Sequence, residues 1–392
     1  MQLFKNAQVY APMSLGKKDV LVAGGKIIAI ENSIELAANS FTTVIDATGK
    51  LLTPGFVDSL VHITGGGGEG GYTTRTPEMH INDAIQGGVT TVVGVLGTDA
   101  QTRSLENLLA KAYALEEQCL SVFCYTGSYH LPMVTITQSV KHDIMLIDKF
   151  IGVGEVAIAD HRSSQITSHE MARLTSEARV AGMLAGKVGI VSIHVGDEPS
   201  KLDLLEQVIS QFDIPITQYY PTHINRSKSL LESGIDFALK GGFIDFTTST
   251  TAQIIEQGEI PAAEALALAL EKNAPISQLT MSSDGNASLP IFDLKGNLID
   301  LQMGLVSSLH QAMIDAVKQF NVPLELALAS ITKSPANILK LTKKGRIEID
   351  MDADINLLNS QSLAIEAVYC KGKLVYSGGK SCLNIPFLSS LR

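Results

Sequence analysis

The chain has 392 residues, of which 45% are hydrophobic and 18% charged, and its formal net charge is −10. This composition is typical of a globular protein with a large core and excludes a disordered chain. Because the net charge is negative and no tract is basic, we expect a small-molecule partner rather than nucleic acid. The length accommodates an eight-fold α/β barrel with a small additional domain.

The four cysteines show neither paired metal-ligand spacing nor a disulfide framework: Cys119, Cys124, Cys370 and Cys382. We therefore expect buried free thiols in a reducing compartment. The chain begins MQLFKNAQVYAPM, which lacks the apolar region of a signal peptide, and no stretch is apolar for long enough to cross a bilayer. We expect a cytoplasmic protein without a membrane segment.

Short β-rich runs separated by turns occupy both ends of the chain. Residues 1–52 contain several of them, and Gly24-Gly25 predicts a hairpin. The C-terminal stretch has the same texture, with another turn at Gly378-Gly379. We predict that residues 1–53 and 342–392 form one small β domain of the sandwich type, and that residues 54–341 form the catalytic domain.

Eight short apolar runs lie between these ends: GFVDSLVH, TTVVGVLG, SVFCYTG, GVGEVAIA, VGIVSIH, IPITQYYPTH, GFIDFTTS and SQLTMSSD. Segments of helical pattern, such as SHEMARLTSEARVAGML, separate most of them, and ALASITKSPANILKL predicts a further helix after the last run. Strand–helix alternation with eight strands predicts a (β/α)8 TIM barrel. An open doubly wound sheet is disfavoured, because no GxGxxG follows the first strand and the four glycines at 65–68 lack a phosphate-loop lysine.

Metal-ligand residue types stand in or directly after five of these runs: His62, Glu155, His194, His223 and Asp284. Because the carboxyl ends of barrel strands meet at one catalytic face, we expect these side chains to converge. Imidazole and carboxylate groups together indicate a divalent metal site that activates water. Asp284 would hold the attacking water and take its proton.

Each of these residues also has a structural interpretation. A lone histidine at a strand end is more often structural than a ligand. Glu155 inside an apolar strand needs a cation or strong donors, and an ion pair with Arg162 or Arg226 would supply one. Asp284 lies in the sequence DGN, which is also good turn chemistry.

Longer motifs carry a resemblance to a known family: GGGGEGGYTTRTPE (65–78), GTDA (97–100), TGSYH (126–130), AIADHRSS (157–164), PTHINR (221–226) and SSDGNAS (282–288). Through these motifs the chain resembles, essentially end to end, the isoaspartyl dipeptidases of the amidohydrolase superfamily. The resemblance implies cleavage of the side-chain amide of β-aspartyl dipeptides at a divalent metal centre, usually zinc. It also implies a homo-oligomer, in this family an octamer.

The resemblance implies two ions held by two histidines of the first strand, a carboxylated lysine of the fourth, histidines of the fifth and sixth, and an aspartate of the eighth. The residues that match are His62, His194, His223 and Asp284. Leu60 replaces the other first-strand histidine and cannot coordinate, whereas Glu155 replaces the lysine with a permanent carboxylate. We expect one or two zinc ions. The ion at Glu155, His194 and His223 is the more secure, and the other is weak or absent.

The resemblance also assigns residues that face the substrate. Glu69, with Ser288 nearby, would bind the α-amino group, and Thr98 would bind the aspartyl α-carboxylate. Arg162 and Arg226 would clamp carboxylates, for which the planar guanidinium is suited. Tyr129 would donate to the scissile carbonyl oxygen. The structural alternatives are ion pairs of the arginines with Glu155 or Asp160, and simple packing for Tyr129.

The sequence therefore predicts a metallo-dipeptidase in which Asp284 is the base and Tyr129 stabilises the oxyanion. Two alternatives stay open. Another amidohydrolase, such as a cyclic amide hydrolase or an N-acyl amino acid deacetylase, would use the same barrel but would not need Glu69 and the paired arginines. The other alternative is a protein that binds isoaspartyl peptides without cleaving them, and the reason for considering it is that Leu60 replaces a metal-ligand histidine.

The four glycines at 65–68 allow positive φ angles, and we expect their loop to act as a lid.

Overall fold

The computed structural model of the chain describes residues 1–292 and 298–384. Its first part consists of five strands: β1 (Gln2–Tyr10), β2 (Ser14–Ala23), β3 (Lys26–Glu31), β4 (Thr43–Asp46) and β5 (Lys50–Pro54). The turn at Gly24-Gly25 joins β2 and β3 in an antiparallel hairpin, as predicted. Both glycines have positive φ angles, which explains their presence in this turn.

Eight parallel strands follow in the positions of the eight apolar runs: β6 (Phe56–Val61), β7 (Val89–Gly94), β8 (Ser121–Thr126), β9 (Phe150–Ile158), β10 (Ile190–Val195), β11 (Tyr219–Thr222), β12 (Ile244–Thr247) and β13 (Leu279–Ser282). Nearly all of their residues are buried, because a parallel barrel covers both faces of each strand. Strands β6 to β11 form one hydrogen-bonded sheet, and β12 pairs with β13.

Two sets of contacts close the barrel. Asn225, just after β11, donates to the Thr247 carbonyl oxygen at 3.0 Å and accepts from the Thr247 amide at 2.8 Å. On the other side, the Asp284 amide donates to the Leu60 carbonyl oxygen at 3.1 Å, and the His62 amide donates to Gly285 at 2.9 Å. The second set places His62 next to Asp284 at the carboxyl ends of the first and eighth strands.

Helices connect the barrel strands: α1 (Ile81–Ile85), α2 (Leu105–Glu117), α3 (Val140–Leu146), α4 (Ser168–Ala185), α5 (Asp203–Gln211), α6 (Lys228–Leu239), α7 (Ala252–Glu256) and α8 (Ala262–Glu271). Local sequence sets their ends. The helix α4, for example, begins at a capping box of Thr167 and Glu170 and ends at Gly186 in the left-handed conformation. Among residues 1–292 and 298–384, no helix combines the length and apolar composition needed to span a bilayer.

After the barrel, the chain forms a hairpin that the sequence analysis did not anticipate, with strands β14 (Ser288–Phe292) and β15 (Leu298–Met303). Three helices follow: α9 (Ser308–Lys318), α10 (Leu324–Ser330) and α11 (Lys333–Ile338). The single helix predicted over ALASITKSPANILKL is wrong, because the chain breaks between α10 and α11. Pro335 explains the break, since a proline inside a continuous helix lacks the N–H that would bond to the Ile331 carbonyl.

The last strands return to the N-terminal ones: β16 (Ile355–Asn359), β17 (Ile365–Cys370), β18 (Lys373–Ser377) and β19 (Lys380–Ser381). Strand β16 pairs with β5, so both ends of the chain form one nine-stranded sheet with its own apolar core. The predicted fold class is therefore confirmed. Residues 385–392 of the predicted β domain lie outside the described residues.

Of the four free thiols, Cys124 and Cys370 are buried, but Cys119 is half-buried and Cys382 exposed.

Lys344 joins the terminal sheet to the barrel. Its buried ammonium lies 2.6 Å from Asp354 and 2.8 Å from Asp352, and it donates to the Ser121 hydroxyl of β8 at 2.6 Å. Burial opposes the charge, but the two carboxylates raise the pKa of Lys344 above its ordinary value. The ammonium is therefore the cation that compensates two acidic groups at this junction.

We expect Lys344→Met to lower the free energy of unfolding by about 3–5 kcal/mol, because it leaves the buried carboxylate of Asp354 and the half-buried one of Asp352 without their cation. Urea unfolding of the variant measures this change. Lys343→Met is the matched control, since Lys343 is exposed. If the free energies of unfolding of the two variants differ by less than about 1 kcal/mol, the usual value of a surface pair, then the ion pairs of Lys344 do not stabilise the junction.

Candidate metal centre

Glu155, His194 and His223 meet inside the mouth of the barrel. Each offers a ligand atom, and these three atoms lie within 4.8 Å of one another. The Glu155 Oε1 atom is 3.3 Å from His194 Nδ1 and 3.1 Å from His223 Nε2. All three residues are at most 2% exposed. The strands β9 and β10 and the end of β11 are neighbours in the barrel sheet, which explains why these distant residues converge.

The second nitrogen of each histidine is held by an outer group. His194 Nε2 lies 2.9 Å from Asp160 Oδ2, and His223 Nδ1 lies 2.5 Å from the Thr247 hydroxyl. Outer partners of this kind orient metal-binding imidazoles. Burial and the charge of Arg226 lower the pKa of His223 to about 4, so its imidazole is neutral at physiological pH. Neutral imidazole is the form that coordinates a metal.

Glu155 is ionised in this environment. Burial alone would favour the protonated acid, but hydrogen bonds with His194 and His223 hold the pKa of Glu155 well below its ordinary value. The donor set is therefore one carboxylate and two imidazoles, which suits a zinc-like divalent ion. The predicted alternative for Glu155, an ion pair with Arg162 or Arg226, is wrong, because its partners are histidines.

His62 and Asp284 form a less complete group beside these three. His62 Nε2 is 3.2 Å from Asp284 Oδ1 and 3.9 Å from Glu155 Oε2. Within the described residues, the buried His62 Nδ1 has no hydrogen-bond partner, so this imidazole lacks the outer support that His194 and His223 possess. Leu60 is 2% exposed and packs in an apolar cluster. This geometry supports one well-built ion site rather than two.

Asp284 and His223 also share an unusual backbone conformation. Their φ angles are +51° and +63°, in the left-handed region that residues other than glycine seldom adopt, although aspartate, asparagine and histidine enter it more often than most. Such strain persists where the surrounding structure holds it, and it is common at active sites. The hydrogen bond from the Asp284 amide to Leu60 is one of the contacts that hold it here.

Glu69 is the centre of a second cluster in the same cavity. Its carboxylate accepts from Thr98 at 3.0 Å, from Arg162 at 3.2 Å and from Ser288 at 3.2 Å. Arg162 also forms a 2.7 Å ion pair with Asp160. The ion pair of Arg162 with Asp160, which the sequence analysis gave as a structural alternative, is therefore present. The guanidinium joins Glu69 to the carboxylate that orients His194.

Tyr129 and Arg226 complete the predicted set. The Tyr129 hydroxyl lies 2.7 Å from His194 Nδ1, and burial together with the Glu155 charge raises the pKa of Tyr129 well above its ordinary value. The phenol is thus a proton donor at any physiological pH. Arg226 and Glu259 also line the cavity, and the charge of Arg226 acts on the Glu259 carboxyl group. The cavity contacts both clusters, and its volume of about 840 Å³ is large enough for a dipeptide.

The structure adds three residues whose role here the sequence analysis missed. Asp160 was considered only as an arginine partner, but it also supports His194. Thr247 supports His223. Arg103 is 7% exposed and donates to backbone carbonyls of the glycine loop. The motif ADHR placed Asp160 near the site, but no local signal distinguishes Thr247 or Arg103 from other polar residues near strand ends.

Comparison with known proteins identifies the family. A sequence profile of the Amidohydrolase family matches residues 51–375. The chain belongs to the amidohydrolase family. It is a hydrolytic enzyme by family, and the predictions of the family and of an enzyme are confirmed.

This amidohydrolase is similar to two solved structures of β-aspartyl dipeptidase from the thermophilic, keratin-degrading Fervidobacterium islandicum AW-1. The first, in complex with the dipeptide β-Asp-Leu, is 45% identical, covers 98% of both chains and superposes with a TM-score of 0.92. The second is 43% identical, covers 98% of this chain and 99% of the other, and has a TM-score of 0.89. The predicted resemblance to isoaspartyl dipeptidases is confirmed.

A shorter similarity links this amidohydrolase to a dihydroorotase of Listeria monocytogenes serotype 4a (strain HCC23). The two are 40% identical over 115 residues. The match spans 28% of this chain and only 26% of the dihydroorotase. The chain thus matches about a quarter of the length of this dihydroorotase, so the similarity does not by itself assign the activity of the whole dihydroorotase to this chain.

Proposed function

We propose that this amidohydrolase cleaves the side-chain amide of β-aspartyl dipeptides. The observation that carries the proposal is that one cavity is lined both by His194 and His223, which meet Glu155 in the donor set, and by the carboxylate of Glu69. The full-length similarity to β-aspartyl dipeptidases supports the same substrate class. We also propose zinc as the metal, a homo-oligomer in the cytoplasm, and a domain boundary near residues 53 and 342.

When bound at the three donors, a divalent ion would supply Lewis acidity and lower the pKa of a water molecule to about 7. The protein residues perform the other steps. Asp284 takes a proton from the attacking water and later delivers it to the leaving amine. Tyr129 donates a hydrogen bond to the carbonyl oxygen as negative charge develops there. Its raised pKa keeps the donated proton on the phenol.

Recognition of the aspartyl half would use the Glu69 cluster. Glu69 accepts from the α-amino group, and Ser288 adds a hydroxyl beside it. Thr98 donates to the α-carboxylate, and Arg162 neutralises it while remaining bound to Asp160. Arg226, which also lines the cavity, binds the carboxylate of the leaving amino acid.

An assay with three substrates tests this function. We expect zinc-supplemented protein to hydrolyse β-Asp-Leu and to leave α-Asp-Leu intact, because only the β linkage places the scissile carbonyl beside Tyr129 while Glu69 holds the amino group. Dihydroorotate distinguishes a cyclic amide hydrolase. Equal turnover of both dipeptides, turnover of dihydroorotate alone, or binding of β-Asp-Leu without cleavage would each contradict the proposal.

We expect Leu60→His to raise the zinc content from about one ion per chain to about two, because it restores an imidazole beside His62 and Asp284. Elemental analysis after zinc loading and desalting measures the content. Leu60→Met, which preserves an apolar side chain of similar volume, is the control and should stay at one ion. Two ions in the unmodified protein would refute a single-ion centre.

A further inference from the structure

Arg103 is a buried cation whose hydrogen bonds, among the residues that the structure describes, all go to backbone. Its guanidinium donates to the carbonyl oxygens of Thr64, of Gly66 at 3.0 Å and of Thr76 at 2.9 Å. The residue is 7% exposed and lies at the wall of the substrate cavity. A buried guanidinium that bonds only to carbonyls is costly to maintain, so its geometry calls for an explanation.

The three carbonyls belong to the two sides of one small loop. Residues 64–66 run along one side and Thr76 along the other, and the sides are joined by bonds from the Gly66 amide to the Thr76 hydroxyl and from the Thr76 amide to Gly66. The guanidinium of Arg103 therefore fills the base of the loop. A planar fork with several fixed donors suits this task, whereas a single ammonium does not.

Gly65 makes room for the guanidinium. A Cβ atom at this position would lie 2.8 Å from Arg103 Nη1 and 2.4 Å from the Thr76 carbonyl oxygen, and the Gly65 φ angle is +77°. Both the space and the backbone conformation thus exclude a side chain. This contact gives a physical reason for one of the four glycines that is independent of any direct contact with substrate.

The loop carries groups that face the cavity. Gly66 packs against the His62 ring, where a Cβ would be 3.4 Å from Nδ1, and Gly67 packs against Ser288. Glu69 follows directly and bonds to Thr98 and Ser288. A shift of the loop base would move Glu69 relative to the rest of the cavity, although Arg103 itself has no bond to Glu69.

We propose that Arg103 is a positioning residue that fixes the glycine loop and thereby sets the selection of substrates carrying an α-amino group. The proposal deepens the function proposed above and rests on it for the identity of the ligand. It differs from a purely structural role in one respect. A misplaced Glu69 reduces the preference for the amino group, whereas general loss of folded protein reduces all activities equally.

The test compares β-Asp-Leu with N-succinyl-leucine, which is the same molecule without the α-amino group. We expect the unmodified protein to prefer β-Asp-Leu by about 100-fold or more in kcat/KM. A charge-assisted hydrogen bond between Glu69 and the α-amino group would account for a preference of this size. In Arg103→Met the preference should fall to about tenfold or less. Arg103→Lys should give an intermediate value, because it keeps the charge without the fork.

Lys111→Met is the matched control, since Lys111 is a nearby cation on α2 that pairs with Glu78 at 3.2 Å. It should keep the preference of the unmodified protein. If Arg103→Met does not fold, Arg103→Lys decides the question. An unchanged preference in the folded Arg103 variants, with both substrates slowed equally, overturns the inference.

A binding measurement separates this inference from the proposed hydrolysis. Calorimetric titration measures the Kd of each ligand for the zinc-loaded protein. Both the protein with Arg103 and the Arg103→Lys variant also carry Asp284→Asn, which slows turnover. The ratio of the two Kd values then gives the preference for the amino group. A preference for β-Asp-Leu that Arg103→Lys reduces supports the inference even if no cleavage occurs. Binding of neither ligand, or a ratio that the Arg103 variants do not change, overturns it.

Discussion

Glu155→Gln should abolish both the zinc affinity and the hydrolysis of β-Asp-Leu. Glutamine has almost the same shape, but it removes the negative charge from the centre of the donor set, 3.1 Å from His223 and 3.3 Å from His194. Lewis-acid catalysis contributes several kcal/mol, so its loss corresponds to at least about 10³-fold in kcat/KM. Steady-state kinetics in zinc-supplemented buffer measures this effect.

A second measurement reports the ion directly. Zinc at about 100 times its Kd should stabilise the unmodified protein by about 2.7 kcal/mol, seen as a rise in Tm. The rise should disappear in Glu155→Gln and persist in Glu232→Gln, a control on the exposed face of α6. If Glu155→Gln keeps both the zinc-dependent rise in Tm and the activity, then Glu155 is not a ligand.

The residues of the candidate metal centre could be predicted because their convergence follows a simple rule. The carboxyl ends of barrel strands share one face, so polar residues in or just after the last part of each strand meet there whatever their separation in sequence. The strand containing Glu155 is buried throughout, and this burial requires a compensating group for the carboxylate. The resemblance to a family assigned roles only at the positions that match its motifs, and Leu60 had to be interpreted from its own chemistry.

The supporting residues could not be predicted in the same way. Asp160 binds both Arg162 and His194, and this double contact depends on the path of the loop after β9, which sequence periodicity does not describe. The bond between Arg103 and the glycine loop joins two segments that contain few periodic residues. The break before α11 depends on Pro335, whose effect the apolar pattern of the segment concealed.

Asp284→Asn should lower kcat for β-Asp-Leu by about 10³-fold while leaving zinc at the three-donor site, because it removes the proposed base without removing one of those donors. Although burial opposes ionisation, the neighbouring His62 lowers the pKa of Asp284, so its carboxylate is ionised at neutral pH, which is the form that a base requires. Asparagine tolerates the left-handed backbone at this position, with its φ angle of +51°, so the variant should fold.

The comparison with Glu155→Gln makes the roles of the two carboxylates distinguishable. Glu155→Gln should lose zinc and activity together, whereas Asp284→Asn should keep about one zinc per chain and lose only turnover. Asp213→Asn, at an exposed position after α5, controls for the loss of a carboxylate. Turnover of Asp284→Asn within about tenfold of the unmodified protein, below the usual contribution of a general base, would assign proton transfer to another group.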